Sequence, residues 1–319
     1  MFTLRRLAAV LLLALPLHAA GPDLQVQTLI RQEGFRNSKV MEIASGLTDF
    51  IGPRLTGSPN MKRANEWTRD KLAEFGLANA HLESWGPFGR GWSYESISVR
   101  LLEPDVAQLW ALPKAWAQGT NGPIRGTPVK VKLETKEDLE KAKGTLAGKI
   151  VFTGEARDLK PQETAALVRY DEKKLGELSQ YQIPGARGPF SPEEFARRRQ
   201  FRRELNRFLA EEKPLAVVEP GTKDGGTYHV QGAGSQKPDE PVPPPSIVLS
   251  TEHYNRIVRL LDQKKEVEIE IDVKAKFHDE DPMAYNTIAE IPGTDRRGEV
   301  VMLGAHLDSW HGGTGATDN

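Results

Sequence analysis

Near the C-terminal end of the sequence, His306, Leu307 and Asp308 follow an apolar run. A glycine-rich stretch with Gly312, Gly313 and Gly315 comes next, and then Asp318. In an extended chain His306 and Asp308 point to the same side, so a carboxylate can sit beside the imidazole and orient it as a metal ligand. The glycines let the backbone fold back tightly, which could return Asp318 to the neighbourhood of His306. Zinc takes both ligand types, and a two-oxygen carboxylate can bridge a pair of ions. The same spacing also suits a plain strand end followed by a turn, so by itself it leaves metal binding open. Trp310 reads as pocket wall and His311 as an incidental histidine. His81, His229, His253 and His278 lack comparable neighbours in sequence and read as surface or hydrogen-bonded side chains.

The elements that would position these residues can be read outwards from them. Residues 299–305 (EVVMLGA) form a nearly continuous apolar run, as expected of an inner strand in a mostly parallel sheet covered on both faces. Ligands in such sheets bind beyond the carboxyl ends of strands, where His306 falls. Residues 285–291 read as another strand, closed by a turn at Pro292 and Gly293. Upstream, residues 24–50 carry apolar positions at helical spacing and fit one or two helices. Ser58 and Pro59 then supply an N-cap and first-turn proline for an amphipathic helix reaching Gly76. A short extended segment follows at residues 81–85.

From about Val99, prolines at 104, 113, 123 and 128 change the texture, and a new domain is expected to begin. Residues 148–152, 215–218 and 247–249 read as short buried strands. Between the first two, Ser191 opens a helix running to about Glu212. Its arginines (197, 198, 199, 202, 203 and 207) alternate with Glu193, Glu194, Glu204, Glu211 and Glu212, the mixture of a solvated face and not of a nucleic-acid patch. Residues 237–245 are proline-rich and read as an extended spacer. Ser250 or Thr251 caps a helix, and residues 267–277 alternate apolar and charged positions as a half-buried strand does.

The 43 Lys plus Arg against 44 Asp plus Glu leave no global field to draw nucleic acid or an anionic membrane. Arg5, Arg6, an apolar run over residues 7–17, and Ala19 and Ala20 form the pattern of a signal peptide over residues 1–20. The run falls well short of the roughly 20 residues that span a bilayer, so export to a periplasm or the exterior is expected, without a stable membrane anchor. With no cysteine, stability must come from cores, metal, or both.

Three stretches carry a resemblance. They are residues 285–293 (YNTIAEIPG), residues 304–310 (GAHLDSW) and residues 313–319 (GTGATDN), supported by residues 52–58 (GPRLTGS) and the helix after them. Together they resemble the co-catalytic zinc exopeptidase family of bacterial aminopeptidases and the carboxypeptidase Q branch, and the short step from His306 to Asp318 favours that branch. The resemblance implies that His306 binds one of two zinc ions, Asp318 bridges both, and Asp308 supports the histidine. The family's Glu-Glu pair, a further acidic ligand and a last histidine would fall beyond Asn319, so the 319-residue chain by itself is expected to bind zinc poorly and to be inactive.

The implied fold is α/β: an α/β/α zinc-peptidase sandwich, incomplete here, from residues 21–98 and 278–319. A mainly β protease-associated insert over residues 99–277, with a helical excursion near 160–213, would split it. The implied activity is zinc-dependent removal of terminal residues from peptides or dipeptides, with amino-, carboxy- and dipeptidase polarity open. Oligomeric state is open too, a homodimer among the options. The alternatives are an inactive binding protein on a peptidase fold and a protease-associated binding module.

Overall fold

The computed structural model describes residues 23–160, 163, 165, 167–180 and 191–317. Residues 1–20, where a signal peptide is expected, and Asp318 lie outside the described residues. The chain divides into two compact units, residues 1–46 and 47–319.

The first unit holds α1 (Leu24–Arg36), whose N-terminus is capped by the Asp23 carboxylate accepting from the Gln25 and Val26 amides, and α2 (Val40–Ser45). A π-helical turn, Gly46–Ile51, follows in sequence.

The second unit opens with α3 (Pro59–Glu74), started as its sequence requires by Ser58 accepting from the Met61 amide ahead of a first-turn proline. Then come β1 (Ala78–Ser84), β2 (Gly91–Glu103), β3 (Ala107–Leu109), β4 (Ala111–Pro113), β5 (Ile124–Gly126), β6 (Pro128–Lys130), α4 (Lys136–Ala142) and β7 (Ile150–Phe152). After these follow α5 (Glu172–Leu178), α6 (Pro192–Glu212), β8 (Ala216–Pro220), β9 (Ser246–Leu249), α7 (Thr251–Asp262), β10 (Glu268–His278) and β11 (Tyr285–Glu290). The fold is mixed α/β.

Three sheets result. β6, β7, β8 and β9 run parallel, and β4 closes that sheet antiparallel to β9. β3, β2, β10 and β5 form an antiparallel sheet, and β1 pairs with β11. β7 is buried throughout because its alternating side chains enter two cores. Ile150 and Phe152 join Leu101, Leu249, Ile257 and Ile269 between the two larger sheets and α7, while Val151 meets Leu139, Leu146 and Leu209 under α4 and α6. Thus α6 lays one apolar edge on the parallel sheet and turns its arginines outward, and the Ser191 hydroxyl caps it.

The composition change at Val99 falls inside β2, whose pairing with β10 runs back to Gly91 opposite His278. Chain entry and exit are therefore side by side at that end of the strand pair. β1 and β11, which flank it in sequence, pair with each other and pack on α3.

One expected strand is not formed. Residues 299–305 have no regular secondary structure, with Val300 85% and Leu303 95% exposed. A strand needs an edge to pair with and faces to bury. Among the described residues no strand lies beside this run, so its composition has nothing to act on.

Candidate metal centre

The segment after the apolar run is held by the loop over residues 52–58. Gly52 and Gly57 adopt positive φ of 82° and 79°, a region costly for other residues. A Cβ on Gly57 would also approach the Phe88 ring to 2.8 Å. Between these glycines Leu55 joins Trp92, Ala115 and Trp116 in a small core, so the loop is fixed against the β2 region.

That anchoring delivers Arg54 to the segment over residues 307–314. Its side chain is fully buried, with 0% exposure. Nε donates to the Leu307 carbonyl at 2.9 Å, and Nη1 donates to the carbonyls of Leu47 (3.0 Å), Gly52 (3.0 Å) and Thr314 (2.7 Å). Main chain reinforces the link, the Ser309 amide donating to the Arg54 carbonyl at 3.0 Å and the Arg54 amide to Ser309 Oγ at 3.0 Å. Burial pulls the guanidinium's pKa down, while the Asp308 carboxylate acts in the opposite sense. The group stays cationic, since arginine starts far above neutrality.

Next to this clamp His306 and Asp308 meet as their spacing suggests. His306 Nδ1 lies 3.0 Å from Asp308 Oδ1, and Thr56 Oγ1 donates to Asp308 Oδ2. A carboxylate only accepts, so it places the imidazole proton on Nδ1 and the lone pair on Nε2, the state a metal requires. His306 and Asp308 side chains are 55% and 41% exposed, and at that exposure a pair contributes about 0–1 kcal/mol to stability. The consequence of the contact is orientation.

Asp318 lies outside the described residues. Among the described residues no three His, Cys, Asp or Glu side chains converge as a metal-binding group. The donor set that is present, an imidazole backed by a hydrogen-bonded carboxylate, fits zinc.

The other histidines follow their expected roles. His81 Nδ1 lies 2.6 Å from the Asn79 carbonyl, His253 Nδ1 accepts from the Trp110 amide at 2.8 Å, and His278 Nε2 lies 2.8 Å from Ser93 Oγ. His229 is exposed. Trp310 is 44% exposed. His311 is not incidental to the packing, because it is buried at 4% exposure and donates from Nε2 to the Pro113 carbonyl at 2.7 Å.

Arg54 and Thr56 are the residues that reading for chemistry passed over. Their only local sign was a glycine- and proline-bounded loop containing an arginine.

Residues 286–319 match peptidase family M28. Carboxypeptidase Q of Mus musculus is 26% identical over 280 residues, covering 86% of this chain and 50% of the relative. The Bos taurus protein is 28% identical over 276 residues with the same coverage. The chain thus spans about half the length of the curated relatives it matches. The crystal structure of a peptidase M28 precursor from Shewanella amazonensis SB2B superposes with a TM-score of 0.56 at 23% identity, covering 92% of this chain and 60% of that one. Residues 286–319 therefore carry the segment of peptidase family M28, in a chain that is a homologue of carboxypeptidase Q along most of its length and shares the fold of an M28 peptidase.

Proposed function

We propose that the whole protein is a zinc-dependent exopeptidase that hydrolyses terminal peptide bonds of peptides or dipeptides, exported by its N-terminal signal segment. In this reading His306 holds one of two zinc ions through Nε2, Asp318 bridges both, and residues 99–277 form a protease-associated insert. Among the described residues no helix is long and apolar enough to cross a membrane.

The observation that carries the reading is the His306–Asp308 contact, backed by Thr56 and set on the buried Arg54 clamp, inside the segment that matches family M28. Bound zinc would lower the pKa of its water toward neutrality and polarise the scissile carbonyl. Asp308 keeps the His306 proton on Nδ1, and Thr56 keeps the Asp308 carboxylate from rotating away. Arg54 holds the main chain at Leu307 and Thr314, on either side of the glycine turn, so that the ligand-bearing segment keeps one shape. Preorganised ligands of this kind are what a metal site needs to bind tightly.

The test is hydrolysis of unblocked dipeptides and of N- and C-terminally blocked analogues by the full-length protein. Activity abolished by a zinc chelator and restored by zinc, and lost when the relevant terminus is blocked, is expected. Chelator-insensitive hydrolysis, or cleavage of peptides blocked at both ends, would overturn the assignment.

A further inference from the structure

The glycine turn after Asp308 is closed internally. The Gly313 amide donates to the Trp310 carbonyl at 3.2 Å, and Ser309 Oγ donates to the Gly313 carbonyl at 3.2 Å. Arg54 holds both ends of this turn from the loop over residues 52–58, at Leu307 and at Thr314. The middle is held from a different part of the fold, by the β4 and β2 strands. His311 Nε2 donates to the Pro113 carbonyl at 2.7 Å, and its ring meets Trp92 edge-on at 5.1 Å and Tyr94 at 5.9 Å.

That contact admits only one form of the ring. Donation from Nε2 leaves the lone pair on Nδ1, which is buried and has no hydrogen-bond partner among the described residues. A second proton would have no acceptor there, and burial accordingly lowers the pKa of His311. Gly312 shows how tightly the backbone is seated, since an added Cβ would lie 2.9 Å from Val230 Cγ1 and 3.1 Å from Leu112 Cδ1. A packing role alone would need only an apolar ring at 311. The hydrogen bond to a strand-end carbonyl instead fixes where along β4 the turn sits.

We propose that His311 is a positioning residue of the metal centre, locking the turn between Asp308 and Thr314 onto the Pro113 carbonyl so that the segment carrying His306 and Asp318 is held from both sides. The proposal rests on the zinc reading above. It makes the β-rich region part of the metal centre's scaffold and not merely a neighbour of it.

The test uses the full-length, zinc-loaded protein, with zinc affinity measured by chelator competition, kcat and KM on an unblocked dipeptide, and melting temperature. His311→Phe keeps the ring but removes the donor, whereas His311→Gln can present an amide N–H at nearly the same place. Groups that orient metal ligands from just outside the coordination shell typically change affinity or activity about 10- to 100-fold. His311→Phe is therefore expected to lose zinc affinity and kcat on that scale, and His311→Gln to recover most of the loss. Gly312→Ala, which leaves the histidine intact but crowds Val230 and Leu112, is expected to lose affinity in the same direction. It carries the test if His311→Phe fails to fold.

Wild-type zinc affinity and kcat in both His311→Phe and Gly312→Ala would overturn the proposal, whatever happens to melting temperature. Equal losses in His311→Phe and His311→Gln would overturn it too, because the donor would not be the cause. If the wild type holds no zinc that depends on His306, the functional reading itself is wrong and the proposal falls with it.

Discussion

Replacing Arg54 with methionine keeps most of its volume but removes the side-chain hydrogen bonds to the carbonyls of Leu47, Gly52, Leu307 and Thr314. The side chain is fully buried, so the acceptors it leaves behind are poorly placed to find water. Each orphaned buried acceptor costs about 1–3 kcal/mol, and breaking a buried charged network typically costs about 3–5 kcal/mol in total. The second figure is the better guide, because a guanidinium no longer buried offsets part of the loss. At roughly 2–4 °C per kcal/mol for a chain of this order, the melting temperature should fall by about 6 to 20 °C. Calorimetry of the full-length protein reads this directly. Limited proteolysis adds a local measure, since residues 307–314 lose two of their anchors and should become the first site cut. Arg54→Lys keeps the charge but not the fork, and should fall between the two. A methionine variant that melts with the wild type and shows no new cleavage at 307–314 would refute the clamp.

Thr56→Val removes the donor to Asp308 while keeping the shape, and is expected to lower zinc affinity or kcat by about 10-fold or more with the protein still folded. Asp308→Asn should do likewise without abolishing zinc binding, whereas full loss of zinc would make Asp308 a ligand and not a support. Ser58→Ala removes the cap on the α3 Met61 amide and should cost about 1 kcal/mol by denaturant unfolding. Asp281 is held below the ordinary carboxylate range chiefly by its hydrogen bond from Lys62, with backbone and Tyr285 contacts adding to this. A depressed folded pKa means the stabilisation is present above the unfolded value near 3.8 and is lost as pH falls through the lower folded one. Asp281→Asn should therefore flatten that part of an acid-unfolding profile, and an unchanged profile would contradict the assignment.

The features legible in the sequence were those with local causes. Ser58 with Pro59, Ser191 and Ser250 announce α3, α6 and α7, because each cap bonds an amide three residues on. The alternation from Val267 marks β10, and the short apolar runs mark β7, β8 and β9. The His306–Asp308 contact was legible too, since two residues apart in an extended chain is enough to bring them together. What escaped depended on distant partners. Arg54 acts on carbonyls more than 250 positions away at Leu307 and Thr314, and nothing around it in sequence shows that. His311 looked incidental because Pro113, Trp92 and Tyr94 lie nearly 200 residues or more upstream. The start of β2 at Gly91 was hidden because Ser93, Glu95, Ser96 and Ser98 dilute its apolar positions. For residues 299–305 composition pointed to a strand, but a strand is a relation to a neighbour, and the exposed run shows that composition cannot supply one.

The most direct test of the central claim is anomalous diffraction at the zinc edge from crystals of the full-length protein, alongside metal analysis of His306→Ala. The account expects a zinc peak on His306 Nε2 at about 2.0–2.1 Å, with Asp318 shared between it and a second ion and Asp308 touching only Nδ1. It expects His306→Ala to fall below two zinc ions per chain. Two zinc ions retained in that variant, or a wild type with no zinc at His306, would contradict it.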